Sequence, residues 1–359
     1  MKPKVIDLFA GVGGLSLGFE QAGFEIVLAN EYDSTIAKAY KYNHPNVNMI
    51  IGDITKLDFN KVFLPLKNNV DVIIGGPPCQ GFSQKGQRKS INDERNYLFK
   101  YFVNVVKEIG PRYFVMENVP NLLTSEGGYF IEEIKLLFSE IGYSLKYEIL
   151  NAFDFGVPQN RRRAIIIGKY DMNPPLLPTG NKMGVNLWDA ISDLNYLESG
   201  SGEDISEYIT DPITVYQKIL RKNSKMLFNH KATKHSDLVI ERLNLIPPNS
   251  GREVLPEKHR TKSIYSGTWT RMKIDEPAVT ITTRFDTPSS GKFTHPFLNR
   301  AITVREAARL QSFPDNFVFL GGKSSQMKQV GNAVPPMLAR EIGNVIMKDI
   351  MEAQYEQTR

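Results

Sequence analysis

The sequence contains a single cysteine in 359 residues. No disulfide can form within the chain, and a zinc site built on cysteines would lack ligands, so no metal is expected. There is no internal repeat and no low-complexity tract, which removes solenoid and propeller architectures. No apolar run is long enough to span a bilayer. The opening Met1-Lys2-Pro3-Lys4-Val5-Ile6 does not read as a secretion signal. These absences lead us to expect a cytoplasmic protein with no membrane partner. Net charge is only +5, from 44 basic and 39 acidic residues. Its distribution is more telling. Residues 218–273 hold thirteen basic and four acidic side chains, whereas residues 171–211 hold one basic and eight acidic ones. Such a block suggests a directed basic surface for a polyanion.

Residues 1–170 alternate short apolar runs with helical periodicity, bounded by glycine, proline and asparagine. Strands are expected at 5–9, 25–30, 48–51, 71–74, 113–117, 145–150 and 163–167. Helices are expected at 15–22, 34–42, 96–109 and 130–141. This alternation predicts an α/β fold with a doubly wound, parallel sheet. Such sheets bind ligands at the carboxyl ends of their strands. Periodicity weakens over 172–300, which reads as a separate, irregular region. Thr303-Val304-Arg305-Glu306 is a capping-box pattern opening a helix through Gln311, and 335–353 is a final amphipathic helix.

The first strand runs into Asp7-Leu8-Phe9-Ala10-Gly11-Val12-Gly13-Gly14. Glycines let a backbone turn tightly and approach a ligand closely, and the following helix offers free N–H groups. A nicotinamide dehydrogenase would place a third glycine where Ser16 stands. Glu31 closes the second strand, where an acid can accept both ribose hydroxyls. Asp53, in Gly52-Asp53-Ile54, closes the third, where a carboxylate can accept from an adenine amino group. Each acid alone reads equally as a solvated turn residue. With the glycine turn they mark three successive strand ends, which favours an adenosine pocket.

The fourth strand leads into Gly75-Gly76-Pro77-Pro78-Cys79-Gln80-Gly81-Phe82-Ser83. A lone cysteine is most often a small buried hydrophobe, but that role sits more naturally within a strand. In a loop at a strand end, Cys79 is a candidate nucleophile, provided the site favours its thiolate. Met116-Glu117-Asn118-Val119 ends the next strand. A carboxyl there is partly desolvated and can hold a proton near neutrality; the alternative is an ordinary strand-end acid. In Gln159-Asn160-Arg161-Arg162-Arg163, strand alternation would put Arg161 and Arg163 on one face. Two guanidiniums suit a phosphate-bearing substrate, although a basic strand start is often only solvated surface.

These blocks, in order, resemble the cytosine-C5 DNA methyltransferase family, bacterial and of restriction–modification type. Arg305-Glu306-Ala307-Ala308-Arg309-Leu310-Gln311-Ser312-Phe313-Pro314-Asp315 and Gly331-Asn332-Ala333-Val334-Pro335-Pro336 extend the resemblance, so that only about 172–280 lies outside it. The resemblance implies a Rossmann-like S-adenosylmethionine-dependent methyltransferase sheet with a smaller, irregular target-recognition domain. Residues 1–171 would be catalytic, 172–285 would recognise the target, and 286–359 would return to the catalytic domain.

It further implies that Cys79 attacks C6 of a cytosine flipped out of duplex DNA. Glu117 would hold N3, Arg163 and Arg161 would steady the base and backbone, and Gln80 would line the same loop. Asn118 would brace the Pro-Cys loop. Phe9, Gly11, Gly13, Gly14, Glu31, Tyr32, Asp53, Ile54, Pro77, Leu98, Asn332 and Ala333 would hold S-adenosylmethionine, leaving S-adenosylhomocysteine as product. The partner would be double-stranded DNA, contacted around Thr280–Arg284 and Lys292–Pro296, with Trp269 and His295 equally at home in the core. No obligate protein partner is implied; the chain can act as a monomer, with or without a cognate restriction endonuclease. An RNA cytosine methyltransferase is the nearest rival, but Gly81-Phe82-Ser83 resembles the DNA group. A catalytically silent DNA-binding relative would not need Cys79, Glu117 and Arg163 together.

Overall fold

The computed structural model describes residues 1–78, 98–181, 184–261 and 266–357. The chain divides into two compact units. The first comprises Met1–Phe155, Arg162–Asn181 and Val334–Arg359, and the second Gly156–Arg161 and Lys182–Ala333.

The first unit alternates β1 (Lys4–Leu8), α1 (Gly14–Gln21), β2 (Glu25–Glu31), α2 (Ser34–Asn43), β3 (Asn48–Ile51), α3 (Phe59–Val62), β4 (Val72–Gly75), α4 (Leu98–Ile109), β5 (Tyr113–Asn118), α5 (Tyr129–Glu140), β6 (Tyr143–Asn151) and β7 (Arg162–Tyr170). The seven strands form one sheet in the order β3-β2-β1-β4-β5-β7-β6. β4 and β5 are buried along their whole lengths, as expected for central strands covered on both faces. Against them α4 presents Phe99, Phe102, Val103, Val106 and Ile109, spaced three and four apart. Phe114 of β5 stacks on Phe138 of α5, with ring centroids 3.8 Å apart.

The sheet departs from the all-parallel expectation at one edge. β7 is antiparallel to both β5 and β6. The cause is connectivity: the link from β6 to β7, residues 152–161, holds only a 3-10 turn and no α-helix, shorter than the crossover a parallel pair needs.

The C-terminal helix, Pro336–Gln357, belongs to this unit and packs on α1. A Cβ on Gly18 would lie 2.3 Å from Ala339 Cβ and 2.6 Å from Arg340 N, so only glycine allows this approach. Farther along, Lys169 Nζ donates to Asp349 Oδ2 at 2.6 Å and Tyr113 Oη donates to the same oxygen, tying the helix to β5 and β7.

The second unit contains α6 (Leu187–Ile191), β8 (Gly202–Ser206), α7 (Val215–Arg221), β9 (Leu227–Lys231), α8 (Asp237–Asn244), α9 (Val304–Leu310) and α10 (Lys323–Asn332), with β8 and β9 paired antiparallel. α9 opens on the capping box read from the sequence. Thr303 Oγ1 accepts from Glu306 N at 3.1 Å, and Glu306 Oε2 accepts from Thr303 N at 2.7 Å. α9 is nevertheless a core element here, rather than part of a return to the first unit beginning at residue 286. Its Arg305 donates to Phe228 O and Phe317 O, and its Arg309 to Ala190 O, Asp193 and Asp315. Buried arginines must be paired, and these pairings fix residues 286–333 in the second unit.

His295 and Trp269 are both buried. His295 Nδ1 accepts from Phe297 N and Leu298 N, and burial pushes its pKa down to about 3, which keeps the ring neutral. Phe293, Thr294 and Pro296 are buried with it, so that stretch packs the core. Arg284 stands open, with its side chain 75% exposed. Among the described residues no helix is long and apolar enough to cross a membrane, and no cluster of three potential metal ligands occurs.

Candidate active site

β1 through β5 run parallel and end at one edge of the sheet, which brings together the residues that close them. After β1 the chain turns through Phe9, Gly11 and Gly13 at φ of 56°, 57° and 94°. Phe9 holds this left-handed conformation despite its side chain, an arrangement that persists only where the surroundings enforce it. Gly11 N donates to Glu31 Oε2 at 2.9 Å, and Asp33 N donates to Glu31 Oε1 at 2.9 Å. Burial raises the Glu31 pKa, and these N–H bonds oppose the rise. Gly14 opens α1 and is buried.

The turn leaves room for a ligand. A Cβ on Gly11 would meet nothing within 4 Å, Tyr32 is 75% exposed, and Glu31 retains acceptor capacity beyond its N–H bonds. An adenosine ribose fits this donor-and-acceptor set. Asn30 Nδ2 spans to Ile50 O and Gly52 O at 3.0 Å each, locking the β2 and β3 ends together. Asp53 follows, with Oδ1 accepting from Thr55 N and Oγ1 at 3.0 and 2.8 Å; the Thr55 bonds lower its pKa. Ile54 packs into the core, Pro77 is buried, and Leu98, which opens α4, is half-buried. Asn332 ends α10 exposed, and Ala333 follows it buried, both in the second unit.

The second group forms where β4, β5 and β7 meet. Glu117 lies opposite Ile165 in the β5–β7 register, so Arg163, two residues earlier in β7, is its diagonal neighbour on the same face. Arg163 Nε sits 2.8 Å from Glu117 Oε1, and the two side chains are only 12% and 11% exposed. Burial lowers the Arg163 pKa, against the pull of Glu117. Glu117 Oε2 lies 3.0 Å from where a Gly76 Cβ would stand, so the carboxylate reaches the backbone leaving β4. Gly75 has the same need for closeness, since its Cβ would fall 2.3 Å from Leu8 O. Asn118 Nδ2 donates to Pro77 O at 2.9 Å and Asn118 Oδ1 accepts from Val119 N. The loop root is therefore braced from β5, two residues before Cys79. Cys79 and Gln80 lie outside the described residues.

Arg161 differs from the expectation. It precedes β7, is fully buried, and donates to Ile281 O and Gly331 O at 2.9 and 2.7 Å within the second unit. Strand alternation does not apply to it, because the strand starts at Arg162. Sequence reasoning also passed over Tyr40. Its hydroxyl lies 2.7 Å from Ser16 Oγ, which donates to Asp7 Oδ2 at 2.6 Å beneath the glycine turn. Helical spacing marks Tyr40 as buried but carries no signal of a polar partner.

Comparison with known proteins agrees with this architecture. A family model described as C-5 cytosine-specific DNA methylase matches residues 3–348. The chain is 39% identical to the Type II methyltransferase M.DdeI of Desulfomicrobium norvegicum, over 96% of this chain and 88% of that one. It is 39% identical to the Type II methyltransferase M1.HphI of Haemophilus parahaemolyticus, over 97% and 87%. Among solved structures, a putative DNA modification methyltransferase encoded within an Escherichia coli prophage superposes with a TM-score of 0.77 at 28% identity, covering 97% of this chain and 99% of that one. Spodoptera frugiperda DNMT2 shares the fold, with a TM-score of 0.62 at 17% identity over 96% and 100%. The protein is a DNA cytosine-5-methyltransferase that uses S-adenosylmethionine as methyl donor, and the chain belongs to the C-5 cytosine-specific DNA methylase family.

Proposed function

We propose that the chain methylates one cytosine within a specific duplex sequence, through a covalent bond between Cys79 and C6 of a base turned out of the helix. The observation that carries this reading is the Glu117–Arg163 pair at 2.8 Å, beside a loop root held by Asn118 two residues before Cys79.

The Cys79 thiolate adds to C6, and the ring electrons move toward C5. Glu117, oriented by Arg163, donates to N3 and stabilises the charge that develops on the ring. S-adenosylmethionine, when bound, supplies an electrophilic methyl group on a sulfonium. C5 would take that methyl as its bond to the donor sulfur breaks and S-adenosylhomocysteine leaves; a base then removes the C5 proton, and the C6–S bond breaks to release Cys79. Glu31 and Asp53, with Phe9, Tyr32 and the backbone of the glycine turn, would hold the donor's adenosine. Arg161 acts by tying Ile281 and Gly331 together rather than by touching substrate.

The second unit would read the target, its basic residues holding phosphates. The enzyme acts as a monomer in a bacterial cytoplasm, with or without a cognate restriction endonuclease. The test is transfer of labelled methyl to mixed-sequence duplex DNA by the protein and its Cys79→Ser variant. The variant should lose C5 methylation; a normal rate would refute the nucleophile assignment. Mapping the methylated cytosines would then give the target sequence.

A further inference from the structure

A chain of buried polar groups lies under the glycine turn. Asp7, Ser16 and Tyr40 are each at most 1% exposed. While Asp7 is ionised it only accepts, so Ser16 donates to it at 2.6 Å, which leaves Tyr40 to donate to Ser16 at 2.7 Å. The hydroxyl order is thereby set in one direction. A second contact joins the same groups to the turn. A Cβ on Gly13 would fall 2.5 Å from His44 Nε2 and 2.8 Å from Tyr40 Cε2. The Tyr40 and His44 rings lie 4.5 Å apart, and His44 Nδ1 is 2.9 Å from Glu20 Oε2. α2 thus supports the turn at Gly13 and, through Ser16, at the start of α1.

We propose that Ser16 and Tyr40 are positioning residues for the methyl donor, holding the glycine turn from beneath through Asp7 so that their loss weakens donor binding while leaving transfer at saturating donor nearly unchanged. The inference rests on the reading of this turn as the donor site.

Asp7 adds a second signature. Its Oδ1 has no hydrogen-bond partner among the described residues. Burial pushes its pKa up to about 7, with Ser16 opposing the rise and Glu31 and Glu20 adding to it. The groups facing it are Ser16 and Glu20 from α1, Tyr40 from α2, and Glu31 from β2. The donor carries a sulfonium and an ammonium, so it binds better above an ionised Asp7. Donor affinity should therefore rise as pH increases through about 7.

The experiment measures kcat, donor KM and DNA KM for the full chain and for Tyr40→Phe, Ser16→Ala, Asp7→Asn and Glu31→Gln, with a melting curve for each. Losing one such hydrogen bond should raise donor KM about fivefold in Tyr40→Phe, and Ser16→Ala, which loses both, should raise it at least as much, with kcat and DNA KM within about twofold. Asp7→Asn keeps an acceptor for Ser16 but loses the charge, and should flatten the pH dependence of donor KM. If Tyr40→Phe and Ser16→Ala only lower the melting temperature while Glu31→Gln raises donor KM, the positioning role is wrong. If Glu31→Gln also leaves donor KM unchanged, the donor-site reading fails and this inference falls with it.

Discussion

Arg309 is fully buried and bonds two carboxylates at once. It reaches Asp315 through Nε and Nη2 at 2.9 and 2.7 Å, and Asp193 through Nη1. Arg309→Met keeps much of the stem volume and removes the charge. Asp193 then retains Arg221 at 2.9 Å, while Asp315 retains Tyr208 Oη at 2.7 Å and Arg305 at 3.7 Å. Removing one side of a buried pair costs about 3–5 kcal/mol, because the charge left behind is uncompensated. The surviving partners favour the lower end, about 3 kcal/mol, which lowers the melting temperature of a unit this size by about 6–12 °C.

The pH dependence has a definite sign. Burial pushes the Asp315 pKa up, but Arg309, Arg305 and Tyr208 outweigh burial and hold it below its ordinary value. A carboxylate depressed in the folded state stabilises above its unfolded pKa, and that stability is lost as pH falls through the folded one. The gap between the protein and the variant should be full at pH 7 and narrow below about pH 4. Thermal unfolding followed by circular dichroism at both pH values measures it. A variant melting within about 2 °C of the parent at pH 7, or a gap that widens in acid, would refute the reasoning.

Arg163→Met should lower kcat about 10- to 100-fold, the worth of one charge-assisted hydrogen bond to Glu117, with donor KM unchanged in single-turnover and steady-state assays. A kcat within about twofold would show that the pair is not needed. Gly18→Ala forces α1 away from the C-terminal helix and should cost about 1–3 kcal/mol in urea denaturation; an unchanged midpoint would mean the helices part freely. Arg284→Gln should weaken duplex binding across sequences and reduce the slope of log affinity against log salt by about 1. An unchanged slope would remove Arg284 from the phosphate contacts.

Much of the first unit could be read from residues because its elements announce themselves locally. Apolar runs closing on glycine mark β1 and β4, and Asp33 caps α2 through Thr35 N and Ile36 N. Strand direction is different. The apolar run in β7 looks the same whether it pairs parallel or antiparallel, so its reversal depends on a connection rather than on composition. The helix of α9 was legible from its capping box, but which unit it joins depends on Arg305 and Arg309 finding carbonyls and carboxylates remote in sequence. Glu117 and Arg163 stand close because two strands share a register, and that register is a property of the sheet. Arg161 shows the same limit, since alternation cannot be applied to a residue just outside its strand.

The segment Gly156–Arg161 belongs with the second unit although it precedes β7 of the first. Gln159 donates to Leu310 O and Gln311 Oε1 and accepts from Ile281 N, while Arg161 holds Ile281 O and Gly331 O. Exchange of the second unit between related enzymes is therefore not a single cut and paste. A graft of residues 182–333 alone would arrive without the side chains that stitch its interior, so a working chimera must carry 156–161 from the same parent.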